Sequence, residues 1–138
     1  MAHVFNDVDV TGELRVSGDA TIERLKTVSD ATSARVCTSE DYGKTIILSY
    51  ATTVAVTLPA NGAPAGSYID FLLAGDDSLA ATISAATTDT LIAPNDAAAK
   101  SVTFGSGSRI GARCRFLSTG TYWVAINLGS TTMTVTTN

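Results

Sequence analysis

Val8–Leu25 reads VDVTGELRVSGDATIERL and divides into three units of six: Val8–Glu13, Leu14–Asp19 and Ala20–Leu25. The first and third places of each unit are apolar, with one polar residue between them. Apolar residues two apart fall on one face of an extended strand. Gly12 and Gly18 hold the fifth place of the first two units, where glycine permits a tight turn; the third unit has Arg24 there. Strands this short bury little alone and need copies, stacked along the chain or supplied by other chains. Three units are too few for a free-standing solenoid, so other chains are expected to complete them. The predicted interface is the stripe Val8, Val10, Leu14, Val16, Ala20, Ile22 and Leu25, joined by Val4 and Phe5 near the N-terminus.

Working outward, Lys26–Arg35 (KTVSDATSAR) is polar and aperiodic and reads as a linker. From Val36 the texture changes to short apolar runs between turn residues. Asp41–Lys44 is turn chemistry, and Asn61–Gly66 and Pro94–Ala99 read as loops. Strands are expected at Thr45–Leu48, Thr53–Leu58, Tyr68–Leu73, Ala81–Ala85, Thr90–Ile92, Ser101–Phe104, Ile110–Leu117 and Thr121–Ile126, and Thr131–Thr137 reads as either another short strand or a loose end. Turn signals every 8–12 residues suit a sandwich or closed barrel. The expected fold is all-β: an antiparallel, jelly-roll-like β-sandwich over 37–138, preceded by a β arm over 1–36. Its predicted core is Ile46, Leu48, Val54, Val56, Leu58, Ile69, Phe71, Leu73, Ile83, Leu91, Val102, Phe104, Ile110, Cys114, Phe116, Trp123 and Ile126.

At 138 residues the chain is long enough for one core. A net charge of −4 argues against general nucleic-acid affinity, which needs basic stripes. Charged residues make up 16% of the chain, below the ~25% of ordinary globular proteins. Thr, Ser, Ala and Gly take their place, which suits broad contact surfaces. No apolar run approaches the ~20 residues of a membrane span. The start MAHVFNDVDV has no basic region followed by an apolar signal core, so export is not expected. Cys37 and Cys114 are then expected to be reduced.

Candidates for chemistry are few. The one histidine, His3, sits beside the N-terminus, whereas a general base must be held against its substrate by neighbours. Asp76-Asp77 lies in a Gly-Asp-Asp-Ser turn whose composition explains it without a metal. Asp7, Asp9, Glu13 and Asp19 read as solvated strand faces. Gly105–Gly111 lacks the lysine and the following helix of a phosphate loop. Two cysteines cannot supply the four ligands of structural zinc. Arg113 and Arg115 share a strand face, and either pair with a partner's carboxylates or face solvent. No catalytic residue, cofactor or metal ligand is assigned, and the chain is not expected to be an enzyme.

Two features resemble bacteriophage virion proteins. VDVTGELRVSGDATI (Val8–Ile22) is similar to stretches of phage fibres and spikes in which three chains wrap together. The order TSEDYGKTIILS (Thr38–Ser49), VAVTLP (Val54–Pro59), GSYIDF (Gly66–Phe71) and CRFLSTGTYW (Cys114–Trp123) resembles β-sandwich modules of phage head-decoration, head-fibre and tail-fibre proteins. The resemblance to decoration (cement) proteins implies a homotrimer that binds the major capsid protein on the outer capsid surface and stabilises the shell. It implies assembly in the host cytoplasm and a place in the virion, with neither nucleic acid nor membrane as partner. The alternative is a fibre or spike module that binds a host-surface receptor such as a glycan, which predicts exposed aromatics near Trp123 or Tyr68.

Overall fold

The computed structural model describes residues 28–30, 34–48, 54–74, 80–86, 88–105, 111–129 and 133–137. Eleven strands are present among them: β1 (Val28–Asp30), β2 (Ala34–Val36), β3 (Thr45–Leu48), β4 (Val54–Thr57), β5 (Tyr68–Leu73), β6 (Ala81–Ser84), β7 (Leu91–Ala93), β8 (Asp96–Phe104), β9 (Arg113–Ser118), β10 (Trp123–Asn127) and β11 (Met133–Thr137). The fold is all-β, as expected. Followed ladder by ladder, the strands run β1-β3-β5-β9-β10-β7-β8-β6-β4-β2, with β11 also on β8.

That order dictates the shape. Only residues 31–33 separate β1 from β2, yet these are the two ends of the path. A flat sheet of ten strands would hold its end strands about 43 Å apart at the usual ~4.8 Å spacing. Three linking residues span at most ~14 Å between flanking Cα atoms. The sheet therefore curls until its ends approach each other, and the core lies inside the curl. The fold-over occurs at β8. Its first part pairs with β7 (Leu91↔Ala99, Ala93↔Asp96) and its second part with β6 (Ala81↔Phe104 to Ser84↔Ser101). β11 runs along the other edge with a register shift opposite Lys100. This bulge reverses the side-chain alternation, so Ala99 and Val102 both face the core.

The expected antiparallel pairing holds for only half of the ladders. β1–β3, β3–β5, β2–β4, β4–β6 and β7–β10 are parallel, and the sheet is mixed. The cause is the winding of the chain. From β1 to β6, successive strands alternate between two wings: β1, β3 and β5 on one, β2, β4 and β6 on the other. Each strand of a wing thus arrives after a full turn and runs parallel to its predecessor. Antiparallel β9 then inserts between β5 and β10. Turn residues mark where strands end, not which way their neighbours run, so this order was not legible from them.

Two loop readings are also corrected. The linker reading of Lys26–Arg35 falls on two strands, β1 and most of β2, which pair with β3 and β4, so the compact sheet reaches back to Val28. Edge strands of three residues carry too few side chains to show alternation. The expected loop Pro94–Ala99 shrinks to Pro94-Asn95, where Asn95 takes the left-handed conformation (φ 65°) that a tight hairpin turn needs. The alanines that follow have low strand propensity, and Ala99 is held by its ladder partners Leu91 and Thr137.

Alternation decides what is buried. Ile46 and Leu48 (β3), Val54 and Val56 (β4), Ile69, Phe71 and Leu73 (β5), Ile83 (β6), Leu91 (β7), Val102 and Phe104 (β8), Cys114 and Phe116 (β9) and Trp123 (β10) point inward, and Leu58 joins them. Phe71 and Phe116 meet edge to face with centroids 5.6 Å apart. Trp123 packs against Tyr42 at 6.0 Å and donates from Nε1 to Pro59 O at 2.9 Å. Ile126 is a correction: Trp123 and Ala125 take the inward places of β10, which turns Ile126 outward to intermediate exposure. Ile110 lies outside the described residues.

Candidate interaction face

The outer surface of the first wing, which β9, β10 and β7 extend, carries the most unusual chemistry. On β5 the inward residues are Ile69, Phe71 and Leu73, so Asp70 points outward, yet it is only 3% exposed. Its cover is the guanidinium directly across the ladder, since Asp70 pairs with Arg115 of β9. Arg115 Nε donates to Asp70 Oδ1 at 2.7 Å and Nη2 to Oδ2 at 2.8 Å, a two-pronged geometry that lysine cannot make. Arg115 also lies over the Tyr68 ring at 4.3 Å. Its hydrogen bond to Asp70 raises its pKa above the usual guanidinium value. Arg113 approaches Asp70 Oδ2 at 3.6 Å, with its side chain 46% exposed. So Arg115 is held by a carboxylate of its own chain, and Arg113 is shared between that carboxylate and solvent.

Register places aliphatic side chains around this cluster. One row across the strands is Tyr68–Leu117–Val124–Ile92, the next is Thr45–Asp70–Arg115–Ile126, and the third is Ile47–Leu72–Arg113. All six aliphatics of these rows are of intermediate exposure on the face opposite the core. The corresponding face of the second wing is of another kind, Ala55, Thr57, Thr82, Ser84, Thr103, Thr134 and Thr136, with Ala34 and the exposed Val36 of β2 at its end. Thr82 and Thr103 share a hydroxyl–hydroxyl hydrogen bond of 3.0 Å across its ladder.

A second polar cluster serves the fold. Thr38 caps a short 3-10 turn at Ser39–Asp41: its hydroxyl accepts from Glu40 N at 3.3 Å, and Asp41 Oδ2 accepts from Thr38 N at 3.0 Å. Asp41 Oδ1 accepts from Arg35 Nη2 at 2.8 Å, tying β2 to the turn before β3. Both cysteines are free and buried, and burial pushes the Cys114 thiol up to about 12, with the Asp70 carboxylate adding to the shift. Among the described residues no group of three His, Cys, Asp or Glu is placed to hold a metal, and no helix is long and apolar enough to cross a membrane.

The predicted interface residues Val4, Phe5, Val8, Val10, Leu14, Val16, Ile22 and Leu25 lie outside the described residues, as do His3, Asp76, Asp77 and Arg109. Of the aromatics tied to glycan recognition, Trp123 is buried and Tyr68 lies beneath Arg115; Tyr122, next to Trp123 in sequence, is 45% exposed. The feature missed in the sequence is Asp70 as the partner of the two arginines. A charge inside the apolar run YIDFLL was the available signal, because a carboxylate there needs a cation opposite. No family model matches this chain, and no curated protein matches it significantly.

Proposed function

We propose that the chain is a structural virion protein: a homotrimeric decoration (cement) protein that binds the major capsid protein on the outside of a bacteriophage head. The observation that carries this reading is the pair of broad outer sheet faces on a 14.2 kDa chain, one aliphatic around the Asp70–Arg115 pair and one mostly of Thr, Ser and Ala. Faces of this kind suit flat contact with other protein surfaces. A partner that binds only the assembled shell stabilises it by mass action, by about 2.7 kcal/mol per site at a free concentration one hundred times Kd. Nothing in this role requires a cleft or a base. The unit-of-six stretch at Val8–Leu25 supplies the additional strands through which copies join or the capsid is gripped.

The test is co-sedimentation of the purified protein with expanded phage heads, together with the heat stability of the decorated heads. Saturable binding with a raised disruption temperature is expected. A protein that stays in the supernatant at micromolar concentration, or that binds without stabilising, overturns the reading.

A further inference from the structure

We infer that Val16–Arg24 binds back on its own chain, as two short strands laid on the free edges of β1 and β2. The site is the open end of the sheet path, and its occupant is the segment that runs just ahead of it. The inference goes beyond the virion reading and does not depend on it: the added strands become the new edges, on which another chain can still pair.

The winding sets the place. On the two wings β5 and β6 are flanked by β3 and β4, and these in turn by β1 and β2. Going back along the chain, each pair of strands thus lies one place further out, parallel to the pair it covers. The next pair back belongs outside β1 and β2, where no ladder is present among the described residues. A sequence repeat supplies that pair. VSGDAT (Val16–Thr21) returns as VSDAT (Val28–Thr32), one glycine shorter. The later version holds β1 and the start of its link to β2, so the earlier one carries the same strand and turn chemistry one winding before. The step of six from Val28 to Ala34, where β1 and β2 begin, is also the step from Val16 to Ile22.

The chemistry that this register brings together supports it. Val16 falls beside Val28, in a row that continues through the core positions Ile46 and Phe71. Glu23 falls beside Arg35, which stands in register with Val56 on β4. Arg35 Nη2 donates to Asp41 at 2.8 Å, but its Nε is buried without an acceptor. A carboxylate on the adjoining strand supplies one, as opposite charges across a ladder do. Arg24 falls beside Val36, which is 71% exposed, and its aliphatic stem covers it. Reach names the occupant. Residues 25–27 join the segment to β1, a link of the same length as residues 31–33 between β1 and β2. So short a tether holds the chain's own segment at these edges at a concentration of roughly millimolar or above, which a free second copy does not match.

The experiment is disulfide trapping in the full chain. Ser17→Cys with Ser29→Cys places two thiols on adjoining strands about 4.8 Å apart, within the Cα separation a disulfide takes. Both native cysteines are buried. Mild oxidation is expected to close the bond within one chain, seen as a single-chain band on a non-reducing gel whose tryptic peptides 16–24 and 27–35 are joined. Ser17→Cys with Thr134→Cys, on β11, is the control and should stay reduced. A bond between chains puts a second copy's segment on these edges and overturns the inference; so does the absence of a bond, or one that forms as readily in the control. Hydrogen exchange gives a second reading without new thiols. Ser17→Pro removes a ladder N–H from the segment. It is expected to speed exchange of the amides of 28–36 at least about tenfold, the scale of one or two net hydrogen bonds, against 68–73 as the internal reference. Unchanged exchange at 28–36 overturns the inference.

Discussion

Removing Arg115 tests how the outer face of the first wing is held. In Arg115→Met the aliphatic stem is kept, and Asp70, only 3% exposed in the native fold, loses the hydrogen bonds at 2.7 and 2.8 Å together with the polar part of its cover. Stripping one partner from a fully buried ion pair costs about 3–5 kcal/mol. Two features reduce that here. The Arg115 side chain is 37% exposed, so solvent already screens the pair, and Arg113 at 3.6 Å can close on the vacated oxygen. The expected loss is about 2–3 kcal/mol, of which the cation–π contact with Tyr68 contributes roughly 0.5–1 kcal/mol. For a chain of this size that lowers Tm by about 6–10 °C. Urea and thermal unfolding followed by the fluorescence of the single, buried Trp123 measure it. Because the penalty is chiefly an unpaired carboxylate, Asp70→Leu in the same chain should recover all but about 1 kcal/mol. A single variant within about 0.5 kcal/mol of wild type, or a double variant no better than the single, would refute the reasoning: Asp70 would then be solvated without its partner.

Other outcomes follow from the same geometry. Ser118→Ala removes a buried hydroxyl that donates to Ala63 O at 2.7 Å and accepts from Gly120 N at 3.0 Å; chemical denaturation should show a loss of about 1–3 kcal/mol. Thr38→Ala takes away the cap of the 3-10 turn and should cost about 1 kcal/mol, read the same way. Cys114 holds its proton up to about 12 in the fold against 9.0 unperturbed, so above pH ~9 the unfolded chain releases a proton that the native chain keeps. Stability from this group is therefore complete below pH ~9 and falls by up to ~1.4 kcal/mol per pH unit until about 12, a slope that Cys114→Ala should flatten in denaturation curves taken from pH 8 to 11. Deleting residues 1–36 strips β1 and β2 from the sheet ends and should lower Tm strongly by calorimetry.

What the sequence disclosed and what it hid divide along physical lines. Tyr68–Leu73 was read to the residue because its apolar side chains repeat with the pleat and the turn-rich sequences Asn61–Gly66 and Gly75–Ser78 bound it. The same period placed nearly the whole large-residue core, since burial of one face is a local property of a strand. It erred at Ile126, where two apolar residues of opposite parity compete and the larger Trp123 takes the interior. Small core residues such as Ala63, Ala85 and Ala99 left no signal, because alanine is at home inside and out. Partnership between strands is not local at all. Asp70 and Arg115 are 45 residues apart, and only the antiparallel insertion of β9 beside β5 brings them together. The interface residues assigned to the arm fall on positions for which the fold supplies no description, so the candidate face on the first wing was found from structure alone.

The spacing of six that organises Val8–Leu25 reappears inside the fold. β1 begins at Val28 and β2 at Ala34, six residues on, and each strand is three residues long. Three residues of strand and three of connection thus carry the chain from one end of the sheet path to the other. A unit this short cannot double back as a hairpin and also pair with itself, so each strand must find its partner on a different element, as β1 does on β3 and β2 on β4. The outer edges of β1 and β2 carry no further ladder among the described residues, and Val36, on β2, is 71% exposed. An open edge bearing an exposed valine invites strand addition. The same economy that makes a unit of six useless alone makes it suited to completing sheets.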